Sequence, residues 1–214
     1  MKTLPTVRIR LGSLVGACVL AGLAGCAGKP TVESSARIEV EEAVGFTITE
    51  EARVGNDARA SYDEAMELLD AGRVDEGVAR LQEAAAQAPG LSAPHIGLGI
   101  AHHRAGDLAA AEASLDSALG LNPEHPIALN ELGIIYRKTG RFAEARSAYE
   151  AALDVYPGYH YARRNLAILC DLYLADTACA LENYHAYLAT VPGDDEVSMW
   201  IADLELRAGR QEAP

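Results

Sequence analysis

Two stretches of the chain, Ala93 to Pro123 and Ile127 to Pro157, superimpose at a displacement of 34 residues, and no other feature restricts the fold as much. Leu98, Gly99, His102, Gly106, Ala111, Leu115, Ala118 and Pro123 fall onto Leu132, Gly133, Tyr136, Gly140, Ala145, Tyr149, Ala152 and Pro157. A period of this length marks a supersecondary unit that cannot bury its apolar face alone and does so by stacking on the next copy. In each unit apolar residues recur at helical spacing in two segments separated by Gly and a polar residue, which predicts two helices joined by a tight turn. Gly99 and Gly133 are expected to face Ala111 and Ala145, bringing the backbones towards the short end of the usual 8 to 10 Å interaxial range. Leu115 or Tyr149 then fills the gap towards the next unit. Pro123 and Pro157 stop each second helix.

Two further units extend the array. Ala58 to Leu91 keeps Ala65, Leu68, Gly72, Leu81, Ala84 and Pro89 in register, without the large aromatic. His160 to about Pro192 keeps Leu166, Ala167, Tyr184 and Pro192, with one extra residue near "LYLADTAC". Asp194 and Asp195 offer an N-cap to a last helix in which Val197, Trp200, Ile201 and Leu204 are spaced to seal the fourth unit. This pattern resembles the tetratricopeptide repeat, matching that family's defining positions except the first aromatic, where His95 and Leu129 stand. The resemblance implies an all-α solenoid of about four repeats, 58–91, 92–125, 126–159 and 160–193, closed by a capping helix over 194–210.

The beginning of the chain reads differently. Lys2, Arg8 and Arg10 precede a short apolar run, Leu11 to Leu23, that is too short and Gly-rich for a comfortable bilayer span. It reads as a secretion signal over 1–25. Its end, "LAGC", resembles the lipobox of bacterial lipoproteins, which implies cleavage before Cys26 and acylation of that residue. Loss of those three cations and no acids takes the formal charge from −13 to −16. Acyl chains, each buried methylene worth about 0.8 kcal/mol, therefore have to hold so acidic a chain on a membrane. Ala27 in place of Asp implies, by the same resemblance, outer-membrane location facing the periplasm. Residues 26–57 form an acidic tether; Val44, Phe46 and Ile48 alternate with small or polar residues and can pair as a short strand, dock on the first helix, or remain a spacer.

The charge also excludes a nucleic-acid binder, since phosphate backbones require a basic surface. No HExxH, nucleophile elbow, P-loop or paired-carboxylate constellation is present, so no enzyme, cofactor, metal or small-molecule substrate is expected. His102 and His103 point about 100° apart on a helix and cannot chelate one ion together; His102 reads as a packed imidazole. An enzyme accessory with a hidden site on the tether or on His102, His103 and His125 is the alternative of another class. With Cys18 in the signal and Cys26 acylated, Cys170 and Cys179 remain, either bridged across the fourth hairpin or as two buried thiols.

In the tetratricopeptide family the first helices line a concave groove. By resemblance the lining positions are Ile96, Ile100, His103 and Arg104, then Asn130, Ile134, Arg137 and Lys138, then Arg164, Asn165 and Ile168. These are either a peptide-binding groove, with isoleucines for apolar contact and cations for carboxylates, or ordinary solvated helix ends. The expected function is a lipid-anchored protein-protein adaptor of an envelope complex. The segment from Asn165 to Arg207 resembles the tails of repeat proteins encoded beside TonB, ExbB and ExbD systems; a type IV pilus assembly lipoprotein of the pilotin kind is the alternative.

Overall fold

The computed structural model describes residues 38–43, 45–50 and 55–211; the signal sequence, Cys26 and Val44 lie outside the described residues. Strands β1 (Ile38–Ala43) and β2 (Gly45–Glu50) pair antiparallel, with Ile38 opposite Glu50 and Val40 opposite Ile48. Of the three readings of the tether, strand pairing is the one found for Phe46 and Ile48, which lie in β2.

The described helices run α1 (Asn56–Asp70), α2 (Val74–Gln87), α3 (Ser92–Ala105), α4 (Leu108–Leu121), α5 (Pro126–Lys138), α6 (Phe142–Val155), α7 (His160–Leu172), α8 (Thr177–Thr190) and α9 (Asp195–Gln211). They associate as α1 with α2, α3 with α4, α5 with α6 and α7 with α8, and each second helix then meets the first helix of the next pair. First helices also touch one another along the array, α1 with α3, α3 with α5 and α5 with α7, so the fold is an all-α solenoid of stacked helix pairs.

Local sequence sets the breaks. Gly72, Gly106 and Gly140 take left-handed φ values of 76°, 85° and 77° in the turn of each of the first three pairs, a conformation that costs glycine nothing. Pro89, Pro123, Pro157 and Pro192 each stand two residues past the end of a second helix. The fourth pair departs from the others. α7 follows α5 by 34 residues, but α8 follows α6 by 35, and the extra residue lies in a turn that places Ala175 at φ 52°. Asp176 closes this turn by accepting the amide of Cys179 at 3.1 Å.

Small residues pack differently from the expected Gly-to-Ala apposition. A Cβ on Gly99 would lie 2.6 Å from Leu115 Cγ, and one on Gly133 would lie 2.5 Å from Tyr149 Cε1. Each glycine therefore seats the large residue of its own second helix, with the carbonyl of Ala111 coming next beside Gly99 at 3.4 Å. Gly97 does the same between units, where an added Cβ would meet Leu81 at 2.9 Å. The aromatic missing from the first unit is supplied one turn earlier by Tyr62, which is buried in α1.

Candidate concave groove and its lining

Position 9 of each first helix repeats as Met66, Ile100, Ile134 and Ile168, all half-buried, which forms an aliphatic ladder along the concave side. Two residues expected to line the groove lie elsewhere: Ile96 and Asn130 are each only 2% exposed. The reason is the adjoining first helix. Asn130 accepts the side-chain amide of Asn165 at 2.9 Å and donates its own to Glu131 at 3.2 Å, so both asparagines belong to the seam between α5 and α7. Arg164 is also partly covered, its guanidinium 5.1 Å from the Trp200 ring centroid and 3.5 Å from Glu196.

The cations at the ends of α3 and α5 are more accessible. Arg104 and Lys138 are exposed, and among the described residues neither makes an ion pair. Between them, Arg137 donates to the Tyr173 hydroxyl at 3.4 Å and lies 5.7 Å from that ring's centroid. His103 Nδ1 stands 3.8 Å from Glu131, both half-buried. Asp171, named as a neutraliser of the groove cations, is instead held by Arg207 at 3.0 Å. The sequence reading omitted Tyr173 and Leu172, which are 43% and 67% exposed at the end of α7. The signal for Tyr173 lay in the irregular turn that the extra residue creates.

The phenols behind this lining do not titrate near neutrality. Burial pushes Tyr149 up to about 12 against the lowering influence of Arg137, and burial followed by Asp171 does the same for Tyr184. They serve as packing and hydrogen-bond donors.

On the other side of the array Cys170 and Cys179 form a disulfide, Cα to Cα 5.9 Å, across α7 and α8. Arg146 reaches from α6 to Cys170 Sγ at 3.4 Å and to Asp176 at 2.6 Å. Cys170, Asp176 and Cys179 are the one described trio of potential metal ligands that converge, and both sulfurs are spent on each other. A cleft of about 520 Å³ opens beside them, lined by Arg146, Glu150, Arg163 and Asn183 among others. Its guanidinium groups are occupied, Arg146 by Asp176 and Arg163 by the Asn183 carbonyl oxygen at 3.0 Å.

The sequence pattern of the tetratricopeptide repeat family matches residues 62–126, 96–160 and 130–170, which together span more than half of the chain. The chain is a tetratricopeptide repeat protein. No curated protein sequence matches it. Solved tetratricopeptide structures resemble it in fold: PilF of Pseudomonas aeruginosa, at 20% identity and TM-score 0.66, covers 72% of this chain and 70% of its own. MamA from Desulfovibrio magneticus RS-1 is 21% identical with TM-score 0.64, over 73% of this chain and 88% of that one. The first such domain of Spaghetti, solved bound to an HSP90 peptide, is 21% identical with TM-score 0.54, over 58% and 99%. At these identities the likeness is one of fold, and tetratricopeptide arrays of this kind act as protein-binding scaffolds.

Proposed function

We propose that this tetratricopeptide protein is a non-enzymatic adaptor, anchored by acyl chains on Cys26 to the bacterial envelope, outer membrane included, and facing the periplasm. Its groove takes a peptide segment of a partner protein in an envelope assembly, with a TonB, ExbB and ExbD energy-transducing system as the preferred partner. The observation that carries the binding role is charge placement: a chain of formal charge −13 leaves Arg104 and Lys138 without acidic partners, on either side of Arg137, beside an isoleucine ladder. Isoleucines give apolar contact and the cations pair with carboxylates. The pilus-assembly reading shares its fold with PilF, and at 20% identity that carries architecture alone.

Photocrosslinkers placed at Ile100 and Ile134 in cells test the groove. Arg137→Glu with Lys138→Glu should abolish the dominant adduct while the helical circular dichroism stays unchanged; an unaltered adduct pattern removes the groove from the proposal. The anchor is tested separately, because Cys26→Ser should move the protein from the membrane to the soluble fraction.

A further inference from the structure

Every first helix receives its successor along one ridge. On α5 this ridge holds Asn130 and Arg137, which touch Asn165 of α7 at 2.9 Å and Tyr173 just beyond it at 3.4 Å. On α7, 34 residues later, it holds Arg164 and Asp171, which meet α9 through Trp200 and Glu196 and through Arg207. α9 itself stands where the first helix of a fifth pair would stand. Its buried Val197, Ile201 and Leu204 repeat Ala162, Leu166 and Leu169 at a displacement of 35.

That displacement carries Arg164 and Asp171 onto Met199 and Leu206. Both are apolar, and they are 65% and 58% exposed. Residues on the flank of α9 where a second helix of the pair would pack are Ser198, Ala202 and Glu205, exposed and small or polar. α9 thus closes the array towards a second helix and leaves the successor ridge apolar.

We infer that the Met199 and Leu206 ridge is a docking surface for a basic amphipathic helix of another protein, seated as the next first helix of the solenoid. The site continues an interface the molecule already makes twice, α5 to α7 and α7 to α9. Seven residues separate Met199 from Leu206, two helical turns or about 10.5 Å, so a partner helix presents aliphatic residues at the same interval. Charge selects the sign of the partner. Asp195, Glu196, Asp203 and Glu205 surround the ridge, while Arg207, the one cation of α9 among its described side chains, is held by Asp171 at 3.0 Å and Asp203 at 2.9 Å. A second copy of this chain would set those carboxylates against their own kind.

Two fluorescent 21-residue helical peptides with the same leucine ridge, one with lysines on its polar face and one with glutamates, distinguish the possibilities when titrated into the full chain. Anisotropy should show the lysine peptide binding about tenfold or more tightly than its glutamate twin. Emission of Trp200, the sole tryptophan, should shift with it, since both peptides lack tryptophan. Met199→Lys with Leu206→Lys, at exposed positions, should remove this binding with the helical circular dichroism intact. Arg137→Glu with Lys138→Glu should leave it unchanged, which separates this ridge from the groove. Equal binding of the two peptides, binding of neither, retention by the double lysine variant, or a dimer that Leu206→Lys dissolves in sedimentation each overturns the assignment.

Discussion

Gly133 and Tyr149 share a space that has no room for one more methyl group. An added Cβ would come within 2.5 Å of a ring that is fully buried, so the ring cannot swing away. Gly133→Ala is expected to destabilise the fold by about 1 to 3 kcal/mol through overpacking, even after the better helix propensity of alanine is counted. Gly120, in α4, meets nothing within 4 Å, and Gly120→Ala should raise stability by up to about 1 kcal/mol. Opposite signs in thermal or urea unfolding check the pair; equal signs would mean that the glycine contact is not what holds the first and second helices at their distance. That Gly133 needs a packing reason was legible, because a mid-helix glycine recurs one period apart. Its partner was not, since facing positions on two helices depend on their rotation about their own axes.

The fourth hairpin is where a single element departs from the period. Its longer turn is held by Asp176, which caps α8 and accepts from Arg146, and by the disulfide behind it. The Arg146 guanidinium, then the Cys179 amide, holds the Asp176 carboxyl below its ordinary value. A depressed carboxyl stabilises the fold above its unfolded value, near 3.9, and that contribution disappears as pH falls through the folded value. Asp176→Asn keeps a capping oxygen and loses the ion pair, so its deficit should stay under about 1 kcal/mol at neutral pH, both partners being over a third exposed, and vanish below about pH 4. Asp176→Ala also loses the cap, adding about 1 kcal/mol at every pH. Denaturant midpoints from pH 3 to 7 read both. Closure of so short a loop contributes about 2 to 3 kcal/mol, so reduction of Cys170 and Cys179 should lower the midpoint by that amount and raise exchange at the amides of the 173–176 turn. The extra residue was visible in the sequence as a slip of register; the direction of the two Cβ vectors, which decides a bridge, was not.

At the scale of the whole molecule, binding to the groove is expected to weaken with ionic strength. Arg104, Arg137 and Lys138 work over screened distances, and raising salt from 50 to 500 mM should lower affinity for an acidic partner peptide severalfold while leaving unfolding midpoints nearly constant. Salt-independent affinity measured by calorimetry would assign the binding to the isoleucine ladder alone. The period, the glycine turns, the prolines past each second helix and the apolar spacing of α9 are local signals, and from them the sequence by itself determined a four-pair helical solenoid with a final helix. Those signals suffice because each unit contacts only its neighbours, so the fold is nearly one-dimensional. Which side chains stand open was decided by tertiary structure. Ile96 and Asn130 carry the same kind of residue number pattern as Ile100 and Ile134, yet the next first helix covers one set and spares the other. Exposure is set by the angle and offset at which successive helix pairs stack, a property of the assembled array that no single period encodes.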